Sequence, residues 1–207
     1  MVKKIVFFGP PAAGKTSLRK FLFEGVAADD LMKNPEPASI GLKFNRYEYV
    51  YSYPIEMKDD EPEKVPINMA LVDTAGQELE RWLTDSKHKV FGGADVVLFI
   101  FDVQDWDDEM KREYILDLIT FTNDTRIELA PDSEFHILAH KIDKIQDKVE
   151  SMEKLKNKLK QDIQDYIFKK NNVLLDLDVQ LTSIQSEFKR DSFFKLLDLT
   201  VNLFASV

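Results

Sequence analysis

Residues 3–16 read Lys3-Lys-Ile-Val-Phe-Phe8, then Gly9-Pro-Pro-Ala-Ala-Gly14-Lys15-Thr16. The first six residues form the apolar run of a buried strand, and helical periodicity begins at Lys15. Between them lies a loop of fixed length, Gly-x-x-x-x-Gly-Lys-Thr. Strand, glycine loop and helix in this order bring backbone N–H groups around a phosphate, with the helix N-terminus adding partial positive charge. Lys15 is then set to bridge β- and γ-phosphate oxygens, and the Thr16 hydroxyl to ligate Mg²⁺. Gly9, Ala12, Ala13, Gly14, Lys15, Thr16 and Ser17 are the candidate phosphate-binding residues. Pro10 and Pro11 remove two amide donors, whereas those from Ala13 to Thr16 remain.

The rest of the chain alternates apolar runs with segments of helical period. Residues 43–53 read as a half-exposed strand, 59–66 as a charged turn and 67–72 as the next strand, so these two strands suggest a hairpin. Residues 95–101, 134–139 and 176–181 add three buried strands. Residues 107–129 read as a helix. Ile145, Val149, Met152, Leu159, Ile163 and Ile167 mark another by their spacing, and Phe193, Leu197, Val201 and Phe204 mark the last. Alternation of this kind predicts βαβ units: an α/β fold with a mostly parallel six-stranded sheet, one antiparallel strand, and helices on both faces.

Composition narrows the function. The 207 residues are 44% hydrophobic and 31% charged, enough apolar material for a core. Their 28 basic and 37 acidic residues leave a formal charge of −9, which argues against nucleic acid as a partner. The absence of cysteine rules out thiolate metal sites, cysteine nucleophiles and prenyl or palmitoyl anchors, and Val2 rules out myristoylation, so no direct lipid anchor is expected. A soluble, cytoplasmic chain is the expectation, reaching membranes only through a partner.

Two further constellations stand at strand ends. Asp73-Thr-Ala-Gly76-Gln77-Glu78 follows the strand 67–72. Asp73 can hold Mg²⁺ opposite Thr16, Gly76 can offer its amide to a γ-phosphate, and Gln77 can orient an attacking water. His140-Lys141-Ile142-Asp143 ends the strand 134–139, and Thr182-Ser183-Ile184 ends the one after it. Both lie where the carboxyl edge of such a sheet forms its ligand crevice. The Asp143 carboxylate can accept from guanine N1 and N2, a donor pair that adenine lacks. The Lys141 stem can lie on the base plane, and the Ser183 and Ile184 amides can meet guanine O6.

With GPPAAGKT, DTAGQE, the Lys141-x-Asp143 pair and TSI, the chain resembles the Ras-like small GTPases. GKTSLR after the loop, FDVQD at 101–105, HKID in place of an Asn-led motif, and TSI resemble the Rag/Gtr family in particular. The resemblance implies a three-layer α/β/α sandwich of the P-loop NTPase kind. It also implies a G domain that binds GTP and GDP with Mg²⁺, switches shape and recruits protein effectors in one nucleotide state. Rag proteins carry a C-terminal roadblock-type domain. This chain stops after its last helix and is expected to be one G domain over residues 1–207, with roadblock or longin-type proteins as partners. The segment that brings a Thr to Mg²⁺ in the family reads Pro37-Ala-Ser39-Ile-Gly41 here, so that role passes to Ser39.

The expected activity is slow hydrolysis of GTP to GDP, with Gln77, Lys15 and Gly76 as catalytic residues and Thr16, Ser39 and Asp73 around the metal. A GTPase-activating protein would supply the missing arginine, and residues 29–41 and 74–88 would loosen when the γ-phosphate leaves. A second reading is a scaffold subunit that holds GTP or GDP without useful turnover, and a third is a P-loop kinase or ATPase. Other features carry less. Trp82 reads equally as a partner anchor or a core residue. Nine basic residues against six acidic ones between 141 and 170 read as a solvated helix face. Arg19 and Arg46 are not read as arginine fingers, nor His88 and His136 as metal ligands.

Overall fold

The computed structural model describes residues 2–34, 37, 41–52, 64–74, 79–185 and 187–205. Among these residues, six strands form one sheet in the order β2-β3-β1-β4-β5-β6. They are β1 (Val2–Phe8), β2 (Leu42–Ser52), β3 (Lys64–Thr74), β4 (Val96–Asp102), β5 (Glu134–His140) and β6 (Asp178–Thr182). Only the β2–β3 pair is antiparallel, registered from Leu42↔Thr74 to Ser52↔Lys64; the other neighbours run parallel.

Alternation along the central strands builds two cores. In β4, Val97, Phe99 and Phe101 face one side, while Val96, Leu98 and Ile100 face the other. The first side is covered by α3 (Leu79–Leu83), α4 (Lys87–Phe91), α5 (Glu109–Leu129) and α6 (Met152–Asn171). The second is covered by α1 (Lys15–Phe23) and α7 (Lys189–Ala205). A short helix, α2 (Ala28–Lys33), follows α1. Strands covered on both faces read as unbroken apolar runs, which is why β1, β4 and β5 are visible in the sequence.

Several boundaries depart from expectation; strand β6, for one, runs Asp178–Thr182 rather than 176–181. Strand β3 begins at Lys64, so Lys64, Val65 and Pro66 belong to a strand rather than a turn. Among the described residues β1 pairs with β3 only from Asn68 onward, so Pro66 lies beyond that ladder and its missing N–H costs it no hydrogen bond. Residues 59–63 of the expected turn lie outside the described residues. Helix α6 starts at Met152 behind Ser151, whose hydroxyl accepts from the Lys154 amide. Ile145 and Val149 reach the same core from 3₁₀ turns before it, so their spacing mimics an extra helical turn. Helix α5 starts at Glu109 behind the Asp108 cap rather than at residue 107.

Trp82 is 4% exposed and packs in the larger core, so its anchor role falls and its core role stands. Arg19 is buried on α1, where its guanidinium donates to Glu24 and to the Tyr47 hydroxyl of β2. That pairing ties α1 to the edge strand, and burial with the Glu24 contact pushes the Tyr47 phenol up to about 12. On α6 and beside it, Lys154, Lys160 and Lys170 pair with Glu150, Asp176 and Asp117, as befits a solvated face. No helix among the described residues is long and apolar enough to cross a membrane.

Candidate functional site: a phosphate loop against two strand ends

Strand β1 ends at Phe8 and the chain turns at once. Gly9 takes φ +137, and a Cβ there would stand 2.0 Å from the Ile100 carbonyl oxygen of β4. Only glycine lets the loop pass that close to the sheet. Ala12 (φ +59) and Gly14 (φ +95) are also left-handed, and alternation of this kind turns successive N–H groups toward one concave side. Gly14 caps α1, whose first turn carries no acidic residue to oppose an anion. Lys15 is 6% exposed and folds back over its own loop, with Nζ donating to Gly9 O at 2.8 Å and Pro10 O at 2.7 Å. Ala13 is buried beneath the loop, and Thr16 and Ser17 follow in the first turn of α1.

Asp73 stands in register with Phe7 of β1, beside the start of this loop. The edge therefore offers the Thr16 hydroxyl on α1 and a carboxylate-bearing position on β3. These are hard oxygen donors that fit Mg²⁺ rather than a soft metal. Ser39, Gly76 and Gln77 lie outside the described residues.

His140 closes β5 between Asp102 of β4 and Thr182 of β6. It is 2% exposed, and its Nδ1 pairs with Thr182 Oγ1 at 3.0 Å. Burial, helped by the neighbouring Lys141 charge, pulls the imidazole down to about 4. The ring is therefore neutral at physiological pH, and its edge lies against Gly14. Lys141 adopts a left-handed backbone (φ +63), with Nζ donating to Ala12 O at 2.6 Å and to Asp102 Oδ2 at 2.8 Å. Asp143, in the 3₁₀ turn Ile142–Lys144, accepts a hydrogen bond from the Ser183 hydroxyl. That hydroxyl in turn accepts from the Gln185 amide at 3.0 Å.

The loop at 9–17, the turn at 140–143 and the loop at 182–184 thus meet on one sheet edge. Two adjustments follow. The Ser183 amide donates to Ser192 Oγ of α7 at 2.9 Å, so any role toward a ring carbonyl rests on the Ile184 amide alone. Asp102, the second residue of FDVQD, belongs to the same network through Lys141. A cavity of about 290 Å³ opens nearby, lined by Asp29, Met32, Lys33 and Gln185. It lies between α2 and the loop after β6.

A glycine loop between β1 and α1, with strand-end motifs gathered beside it, defines a phosphate-loop α/β protein. The model of the Gtr1/RagA G protein conserved region matches residues 4–195, and the chain belongs to that family. It is 23% identical over 202 residues to "GTP-binding protein gtr1" of Schizosaccharomyces pombe, covering 94% of this chain and 54% of that protein. It is 24% identical over 161 residues to "Ras-related GTP-binding protein B" of Rattus norvegicus, covering 71% of this chain and 42% of that protein. The protein of that name from Mus musculus gives the same figures. The chain spans about half the length of the curated relatives it matches.

Proposed function

We propose that this chain is a guanine-nucleotide switch: it binds GTP and GDP, hydrolyses GTP slowly, and recruits protein partners in one nucleotide state. The observation that carries the reading is the contact of three loops on one edge. Lys141 is bonded to the phosphate loop at Ala12, and Asp143 is oriented by Ser183. A base read by Asp143 and phosphates held by residues 9–16 would be two ends of one ligand. Carboxylate recognition of N1 and N2 favours guanine over adenine, which speaks against a kinase or ATPase.

In this reading Lys15 and the amides from Ala13 to Thr16 hold the phosphates, with Ser17 continuing the helix N-terminus. Mg²⁺, held by Thr16, Asp73 and Ser39, would neutralise charge that develops on the phosphoryl oxygens. Gln77 orients the attacking water, and Gly76 offers its amide to the γ-phosphate. An arginine from an activating partner would raise the rate by roughly 10³–10⁵. Residues 1–207 act as one G domain, working in the cytoplasm with effector, activator and roadblock or longin-type proteins.

A second reading, a nucleotide-holding scaffold without turnover, is favoured by the two prolines at 10 and 11, which take two donors out of the loop. The test is calorimetric titration with GDP and ADP in Mg²⁺, on wild type and Asp143→Asn, followed by phosphate release from GTP against a Lys15→Ala control. Tight GDP binding without ADP binding, lost in Asp143→Asn, supports the guanine reading. Phosphate release no faster than the control leaves the scaffold. Equal affinity for both nucleotides overturns the proposal.

A further inference from the structure

Lys141 stands at the end of β5, and its ammonium has two acceptors on other elements. One is the Ala12 carbonyl of the phosphate loop at 2.6 Å; the other is Asp102 Oδ2, at the end of β4, at 2.8 Å. The side chains are 24% and 15% exposed, so solvent screens this pair less than an ion pair on the open surface. Its Cε also lies beside Gly14, 3.7 Å from where a Cβ would stand.

Asp102 is itself fixed. Its Oδ1 accepts from the Gln104 amide at 3.0 Å and caps the 3₁₀ turn Val103–Asp107. That turn is bolted to both neighbouring helices: Trp106 Nε1 donates to Asp162 of α6 at 3.3 Å, and Arg112 of α5 donates to the Trp106 carbonyl at 3.2 Å. One carboxylate oxygen therefore secures a rigid turn while the other holds the lysine.

We infer that Asp102 is a positioning residue for the bound guanine nucleotide: by holding Lys141 against the phosphate loop, it sets how long the nucleotide stays. The inference rests on the nucleotide reading above. A nucleotide that contacts both the loop and the Lys141 stem leaves only when one of them yields. A lysine released from Asp102 gains rotamer freedom and can swing into solvent, abandoning Ala12 as it goes. Asp102→Asn isolates this effect, because it keeps an oxygen for the Gln104 amide while removing the charge that faces Lys141.

The test is the release of a fluorescent GDP analogue from the chain into excess GDP with Mg²⁺, for wild type, Asp102→Asn, Lys141→Met and the double variant. Asp102→Asn is expected to release about ten-fold faster, the loss that one charge-assisted hydrogen bond at a part-exposed site carries. In the Lys141→Met background the same change is expected to add less than about two-fold, since coupled residues are not additive. Where Lys141→Met holds too little GDP to be timed, the cycle is read from equilibrium affinities by competition. Release at the wild-type rate from Asp102→Asn overturns the inference. So does an acceleration that persists in full without Lys141, because Asp102 would then act through the turn it caps. A wild type that binds GDP no better than ADP fails the guanine reading itself. A wild type that prefers GDP, with Asp102→Asn unchanged, removes the role of Asp102 alone.

Discussion

Gly14 and His140 meet at the edge of the sheet: a Cβ built on Gly14 would stand 2.7 Å from His140 Cδ2 and 3.1 Å from Nε2. The contact joins the cap of α1 to the end of β5, so the loop that would hold phosphates and the turn that would read a base share one packed joint. Neither side can give easily. Gly14 has φ +95, and His140 is buried with Nδ1 bonded to Thr182.

Gly14→Ala should damage this joint twice, by straining a left-handed backbone and by driving a methyl group into the imidazole. The strain alone is worth about 1–2 kcal/mol. Urea unfolding of the nucleotide-free protein is expected to lose at least that much, and calorimetry should find GDP binding weakened more than ten-fold, by analogy with other steric changes at a ligand contact. Full stability and full affinity in the variant would mean that the loop does not need this close approach.

His140 makes stability depend on pH. Burial holds its folded-state value near 4, below the unfolded value of 6.5. The unfolded chain therefore binds the extra proton first as pH falls. Its contribution is complete above about pH 6.5 and is lost progressively between there and about pH 4. His140→Asn removes the titrating ring while keeping polar atoms toward Thr182. Denaturation curves across that range should fall less steeply with acid for the variant than for wild type. Parallel slopes would show that another group governs acid unfolding.

Legibility divides along physical lines. Glycine spacing in 9–16 is dictated by backbone conformation and close approach, so it survives in the one-dimensional string. The runs of β1, β4 and β5 are equally visible because both their faces are covered. Helices α2, α3 and α4 leave no readable period in the sequence, because five or six residues do not complete two turns. The start of β3 was hidden by Pro66, whose tolerance depends on where the neighbouring strand begins. Asp102 was unreadable as a site residue because its partner lies 39 positions later, and only the pairing of β4 with β5 brings them together. Ser192 belongs to the same class, reaching the Ser183 amide from α7. Trp82 shows another difficulty: an aromatic beside a motif reads equally as a partner anchor or a core residue until packing is known.

His136 should show the opposite pH dependence from His140. Its Nδ1 faces Asp178 Oδ2 at 2.9 Å and its Nε2 faces Glu134 Oε2 at 3.0 Å, so the ring joins β5 to β6 through two carboxylates. Both nitrogens can donate only in the imidazolium form. Burial pulls this histidine down, but the Asp178 and Glu134 contacts outweigh it and the net shift is upward. A value raised on folding contributes stability that is complete below about pH 6.5 and disappears as pH rises through the folded-state value. The carboxylates are 36% and 49% exposed, so solvent limits the contribution to about 1 kcal/mol. His136→Gln keeps one hydrogen bond without the charge. Chemical denaturation should find wild type ahead of the variant near about pH 5.5, where Asp178, held below the usual carboxylate range by the His136 hydrogen bond, still carries its charge, and the gap should close by about pH 8.5. A gap that stays constant over that range would mean that folding leaves the proton affinity of this imidazole unchanged, so that its charge adds nothing to the β5–β6 contact.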